Sequence, residues 1–235
     1  MKSVVWGVFF LSFLPLVALA KPAATDSAGT AQDVKGAWGV DVMVSDGGFG
    51  LGLFLRKELS PELAWFTTFS VSESKDDHEI ERFDPYTGLS FTPGKLNRFL
   101  VLPLYSGVQY RLFRDEIMDT FRPFVNAAVG PTMIYEMPFA KVTPVPGGYA
   151  DAQQVDFFKA IGRGQMHYTL GGYVGFGAQF GSERGSVFGV NFRYYFVYLI
   201  SGSLPSTYNI VSGGVADTKR EFGGIVITLS LGSTF

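Results

Sequence analysis

The 235-residue chain has no cysteine and only two histidines, and Asp, Glu, Lys and Arg together make up 17% of it. Without cysteine there are no disulfides and no thiolate ligands, so stability has to come from the fold itself. The charge fraction lies well under the roughly 25% of an ordinary soluble domain. A formal net charge of −2 leaves no basic excess to neutralise phosphates, which excludes an electrostatically driven nucleic-acid binder. After the first twenty residues no apolar run approaches the ~18 residues of a spanning helix. Yet 47% of residues are hydrophobic and the mean hydropathy is +0.20. The chain is apolar without having a membrane helix to put the apolarity in.

The apolar residues are arranged in another way. Residues 1–20 carry Lys2, an apolar middle and Ala18-Leu19-Ala20, the order of a cleavable secretory signal peptide. Residues 21–35 are rich in Ala, Ser and Thr and read as a flexible periplasmic lead-in. From residue 36 onward the pattern is a period of two. Trp38, Val40, Val42 and Val44 alternate with Gly39, Asp41, Met43 and Ser45, and Asp46-Gly47-Gly48 then marks a tight turn. The same alternation recurs over 49–56, 63–72, 100–112, 121–136, 166–180, 188–198 and 224–231. That makes eight strands of a domain covering 36–235. Short connections at 59–62, 113–120 and 181–185 fall on one side. Long ones at 73–97, 137–165 and 201–218 fall on the other, together with the tight first hairpin.

Composition decides which face is outside. The apolar sets hold no Asp, Glu, Lys or Arg, and the alternate sets hold Gly, Ser, Thr, Asn, Gln and a few Arg but no Lys. A water-facing set would be rich in Lys and Glu. Small hydrogen-bonding residues suit the crowded interior of a narrow barrel instead. A backbone in lipid has to satisfy its N–H and C=O groups internally, as a closed barrel does. The expected fold is therefore all-β: a transmembrane antiparallel up-and-down β-barrel of eight strands with its apolar face toward lipid. Trp38, Trp65, Tyr110, Phe121, Phe188 and Phe235 would form one aromatic rim and Tyr135, Tyr168 and Tyr198 the other.

The final stretch, Gly223 to Phe235, alternates apolar residues and ends in Phe, and the stretch from Phe121 to Gly130 begins Phe-Arg-Pro-Phe. Through these segments and the pattern over 36–235 the chain resembles the OmpA-type and OmpW-type family of small bacterial outer-membrane barrels. The resemblance implies an outer-membrane location, outer-membrane lipid as surroundings, and Phe235 as the end of a signal read by the outer-membrane insertion machinery. The chain departs from OmpA itself in having no domain after the barrel to grip peptidoglycan.

Candidate chemistry is sparse. Arg56, Arg111, Arg122 and Arg193 fall in the inward sets, as do Asp41, Glu136 and His167, and together they form the expected polar network of the lumen. An unpaired charge there would cost several kcal/mol, so the network reads as a plug and, in the competing reading, as an ion-selectivity filter. Arg193 is expected to find an acceptor in Glu136 or another lumen group. His167 and Thr169 share a face, the type of pair that a lipid-modifying enzyme would use, but no neighbouring acid stands out to orient the imidazole. His78 sits in a charged loop without a second ligand. The glycines at 171, 172, 175, 177 and 181 do not match a phosphate loop and read as space-makers in a crowded interior. Residues 151–161 read either as a short helix ended by Gly162 or Gly164 or as a plain surface loop.

No catalytic, cofactor or metal site is expected. The expected role is structural or surface-interacting, with an extracellular ligand that the sequence does not name. An alternative is OmpW-like passage of small apolar solutes through a lateral opening, where Pro103, Pro123 and Pro131 each remove a ladder hydrogen bond.

Overall fold

The computed structural model describes residues 36–75, 82–84, 89–91, 94–114, 116–117, 120–145, 149–180, 186–209 and 214–235. The expected signal peptide and lead-in, His78 and the turn at 181–185 lie outside the described residues. Eight long strands form the wall: β1 (Gly36–Ser45), β2 (Gly48–Glu58), β3 (Leu63–Ser74), β6 (Asn97–Arg111), β7 (Phe121–Pro138), β10 (Gln165–Phe180), β11 (Ser186–Val197) and β14 (Gly224–Thr234). The remaining elements lie between them: β4 (Arg82–Asp84), β5 (Leu89–Phe91), β8 (Ala140–Val145), β9 (Tyr149–Gln154), α1 (Phe157–Ile161), β12 (Leu204–Tyr208) and β13 (Val215–Lys219).

The wall is one closed antiparallel barrel in the order β1-β14-β11-β10-β7-β6-β3-β2. It closes by pairing β1 with β14, from Ala37 opposite Thr234 to Ser45 opposite Val226. Two backbone bonds between Gly36 and Phe235, of 3.0 and 2.9 Å, extend that closure by one residue pair. Connections β2–β3, β6–β7 and β10–β11 are at one end with Gly36 and Phe235, here the short-loop end. The long connections at the other end carry three separate hairpins, β4–β5, β8–β9 and β12–β13.

Alternation determines which side each residue faces, because successive side chains of a strand point to opposite faces. Along β7 exposed Val125, Ala127, Val129 and Pro131 alternate with buried Phe124, Asn126, Ala128, Gly130 and Thr132. β1, β2 and β11 repeat this with Val40, Leu51, Leu53, Phe192, Tyr194 and Phe196 outside. The outer surface is thus a continuous apolar band, far larger than the few hundred Å² that a water-soluble monomer exposes, and lipid is the solvent that matches it. Among the described residues no helix is long and apolar enough to cross a membrane. Ser106, in the outer set of β6, accepts a 2.9 Å hydrogen bond from the Trp65 indole, so neither group meets lipid unpaired.

Large rings need facing glycines. A Cβ on Gly171 would collide with the Tyr105 hydroxyl, and one on Gly177 would press on the Phe124 ring. The glycines of β10 are therefore the complement of the rings on β6 and β7, as a close-packed interior demands.

Two expectations change. The segment 151–161 is not a single short helix. Residues up to Gln154 belong to β9, and only Phe157–Ile161 is helical, capped by the Asp156 carboxylate accepting from the Phe158 and Lys159 amides at 3.1 and 3.3 Å. The pairing of Lys141 with Gln153 and of Ala140 with Gln154 takes the first part of the segment into a hairpin, leaving only the residues after the cap free to coil. The side chain within α1 that is buried is Ala160, whereas Phe158 is exposed. The loop at 73–97 also carries local structure in β4 and β5 and ends where β6 begins at Asn97.

Candidate functional site

The lumen is the place where chemistry-bearing side chains converge, and it is layered along the barrel axis. Nearest the short-loop end stand Arg56 on β2 and Arg122 on β7, both buried. Arg111 lies on β6, and Gln109 and Gln179 face Asn126 and Arg122 across the ladders. The middle layer centres on Arg193 of β11. Its Nη2 donates to Asp41 Oδ2 at 3.0 Å and its Nη1 to the Tyr195 hydroxyl at 3.4 Å. The Arg193 guanidinium carbon is also 5.0 Å from the centre of the Tyr173 ring. Asp41 receives a second bond, 2.6 Å, from Ser230 of β14. One arginine thereby ties β11 to β1 and, through the aspartate, to β14. Its planar fork makes that geometry possible.

Around this pair sits an aromatic cluster. Tyr173 and Tyr195 have ring centres 4.9 Å apart, each is 6.0 Å from Tyr105, and Phe66 is 6.2 Å from Tyr173. Tyr105 shares a 2.8 Å hydroxyl contact with Thr132.

Above the tyrosines the lumen is apolar. Met43, Phe99, Val101, Ile134 and Val197 from the wall pack in one cluster with Leu199, Leu204 and Phe222 from the long loops. Phe99, Ile134 and Leu199 are wholly buried, and Phe222 meets Phe99 edge-on at 5.3 Å. The loops are held in place by backbone bonds: Leu96 to the Ser206 carbonyl at 2.9 Å, Tyr208 to the Gly94 carbonyl at 2.7 Å, and Phe222 to the Val197 carbonyl at 2.9 Å.

A third polar group occupies the long-loop rim. Glu136 on β7 accepts from Asn97 at 2.6 Å and lies 3.0 Å from His167 Nε2 on β10. The Asn97 amide also donates to the Pro205 carbonyl at 2.8 Å, so the trio fastens the β12 hairpin to the wall.

The seven residues read from the sequence as one network are therefore divided. Arg193 and Asp41 are joined in the middle layer, Glu136 and His167 at the rim, and Arg56, Arg111 and Arg122 stand at the short-loop end. Arg193 does not use Glu136. Asn126 is the β7 residue opposite Gly175, which in turn faces Arg193, and Glu136 is ten residues further along the strand, about 33 Å at the usual rise.

His167 does have an orienting acid, contrary to the sequence expectation. Gln165 faces Glu136 in the ladder, which puts His167 on its diagonal and within reach. The Thr169 hydroxyl is spent on the Tyr198 carbonyl at 2.6 Å, not on the imidazole, and neither side chain is on the lipid face. No group of three or more metal-ligating side chains occurs among the described residues.

The three prolines differ in effect. Pro123 stays in register opposite Ala178, and Pro131 opposite Leu170. Between β6 and β7, however, pairing stops after Pro103–Thr132 and resumes at Ser106–Val129. Between β3 and β6 it stops after Phe69–Leu104 and resumes at Ser72–Val101. Pro103 and Pro131 thus flank two local gaps without a register slip.

Sequence reasoning missed the apolar layer and the tyrosine cluster. The clue was there: Val101, Tyr105, Ile134, Tyr173 and Tyr195 all fall in the inward sets that composition had characterised as polar.

No family model matches the chain, and no curated protein matches it. Among solved structures, it is similar to the outer membrane protein OprG from Pseudomonas aeruginosa, with 15% identity, 86% of this chain and 96% of that one covered, and a TM-score of 0.44. It is similar to Ail of Yersinia pestis in a phospholipid nanodisc, with 12% identity, 86% and 100% covered, and a TM-score of 0.42. A third similarity is to the N-terminal β-barrel domain of OprF from Pseudomonas aeruginosa, with 9% identity, 86% and 97% covered, and a TM-score of 0.39. Likenesses at these scores carry no weight beyond the fold, which stands on the chain's own closed ladder: this is an antiparallel eight-stranded β-barrel similar to small outer-membrane barrels.

Proposed function

We propose that the chain is a non-enzymatic barrel of the bacterial outer membrane whose lumen passes no solute and whose role is exercised by the long loops at the cell surface. The observation that carries this reading is the apolar layer of Phe99, Ile134, Leu199, Leu204 and Phe222. Wall and loop residues together fill the barrel there, above a second obstruction formed by Arg193, Asp41 and the tyrosines. Water and ions have no polar path through such a layer, because unsolvated charge is costly in it. The apolar exterior supports outer-membrane lipid as the surroundings, and the ring of Phe235 beside Gly36 supports a part for Phe235 in closing the barrel during insertion.

The loop-out orientation is testable because the chain has no cysteine. A membrane-impermeant maleimide applied to intact cells should label Phe158→Cys at α1 and leave Leu59→Cys in the β2–β3 turn unlabelled until the cells are broken. Labelling of Leu59→Cys alone on intact cells would reverse the orientation and overturn the reading.

A second reading is favoured by one observation: the ladder gaps beside Pro103 and Pro131 lie next to Tyr105 and Gly130, below the apolar layer. An apolar solute would enter among the loops and leave sideways between β6 and β7. Pro131→Val restores a backbone donor. Under this reading it abolishes solute transfer to the membrane, and under the plug reading it leaves the protein's behaviour unchanged.

A further inference from the structure

Below the tyrosine cluster the lumen retains a void of about 40 Å³, lined among others by Arg56, Gln109, Asn126, Gln179, Asn191 and Arg193. At roughly 10–15 Å³ per water this is room for about three waters. It is also large enough for one small inorganic anion. Every residue that lines it is on the inward face of its strand, so lipid cannot reach it through the wall.

The charge around the void is unbalanced. Ion pairs between described residues join Arg193 to Asp41 and His167 to Glu136, and Arg56 and Arg122 belong to neither. The fields of Arg56 and Arg122 reach each other, and the carboxylate that acts on Arg56 is Glu58 at the strand end. Arg56, Arg122 and Arg193 are 6%, 9% and 6% exposed. Two like charges held this far from water repel strongly unless something negative lies between them.

The void also has unmet hydrogen-bonding capacity. Arg193 Nε, Asn126 Oδ1, Asn191 Oδ1 and the Tyr173 hydroxyl are buried with no partner. Asn126 and Asn191 are 8% and 2% exposed, and Tyr173 is 1% exposed. Rotating an asparagine amide by half a turn presents two N–H donors in place of the oxygen. Arginine nitrogens, amide N–H groups and a phenol then converge on one void, a donor set suited to an anion and poorly suited to a cation.

From this arrangement we propose that the short-loop half of the lumen is a binding site for a small inorganic anion, of which inorganic phosphate is the probe. Arg56 lines the void and neutralises the anion, Arg122 beside it adds its positive field without lining the void, and Asn126, Asn191 and Arg193 Nε hold the anion from above. The Arg193–Asp41 pair forms its roof and prevents passage further up the barrel. The site is therefore a dead-end receptacle that fills from the short-loop side. It is independent of whatever the surface loops bind.

The test is calorimetric titration of the full barrel in a non-ionic detergent with inorganic phosphate, at constant ionic strength and with chloride replaced by a bulky organic anion. Wild type should bind saturably with one phosphate per chain. Arg56→Gln and Arg122→Gln should each weaken binding at least tenfold while keeping the barrel folded, since each removes an unpaired buried charge. Lys159→Gln, on the exposed α1, should bind as wild type does. Thermal unfolding supplies an independent readout, because a ligand bound to the folded state alone raises the midpoint in proportion to its occupancy. Phosphate should raise the midpoint of wild type and not of Arg56→Gln. Absence of saturable binding to wild type, or equal binding by wild type and both arginine variants, overturns the proposal.

Discussion

Below Tyr173 the interior of the barrel is lined by Arg56, Gln109, Gln179, Asn126 and Asn191 together with the rings of Phe54 and Phe124, and Arg122 is buried beside them. Above Tyr105 it is filled by Phe99, Val101, Ile134, Val197 and the loop residues Leu199, Leu204 and Phe222. Both halves are enclosed by the same strands in the same register, so the difference is a matter of side chains alone. The polar half keeps a void and leaves several donors and acceptors unpaired. The apolar half has side chains with essentially no exposure. Polar groups have directional demands that a narrow tube cannot all meet, whereas apolar groups need only shape. The tight half is therefore also the half to which the loops are anchored.

Four substitutions sharpen this contrast, in order of expected effect on unfolding free energy measured by denaturant titration in micelles. Asp41→Ala leaves Arg193 buried without its carboxylate and should cost about 3–5 kcal/mol. A loss under about 1 kcal/mol would mean that the middle layer is hydrated and not sealed. Leu229→Arg, on the lipid face of β14, should cost about 2–4 kcal/mol, as a cation near the bilayer midplane does. If it is tolerated, the inside-out assignment fails.

Gly171→Ala drives a methyl group into the Tyr105 hydroxyl and should cost about 1–3 kcal/mol, with loss of the Tyr105–Thr132 contact visible as a change in tyrosine fluorescence. The smallest effect has the opposite sign. Thr228 is wholly buried on the inward face and its hydroxyl has no partner. Thr228→Val should therefore leave stability unchanged or raise it by up to about 1 kcal/mol. A clear loss would reveal a partner for that hydroxyl.

The barrel was legible in the sequence because its signal is local. Alternation of side chains needs only neighbouring residues, and the absence of charge from one set tells which face meets lipid. That reading placed all eight wall strands to within a few residues and put Val40, Leu53, Val129, Phe192 and Leu229 on the correct face. Pairing within the lumen was not legible, because it depends on register and height. Arg193 and Asp41 are 152 residues apart in sequence and meet only because β11 and β1 both flank β14. Glu136 and His167 meet because one ladder places Gln165 opposite Glu136. The apolar upper layer was hidden for a third reason: three of its eight residues, Leu199, Leu204 and Phe222, come from loops that show no alternation at all. The end of the short helix at Phe157–Ile161 was foreshadowed by Gly162, but its start, at the Asp156 cap, was set by the β8–β9 hairpin before it.

The central claim is that the lumen is closed at two levels, and planar-bilayer recording of the purified full chain tests it most directly. At neutral pH and high salt the wild-type barrel should show no steady conductance, whereas Phe222→Ala combined with Asp41→Ala, which opens both levels, should show one. A large, stable, ion-selective conductance in the wild type would contradict the account and make the barrel a channel.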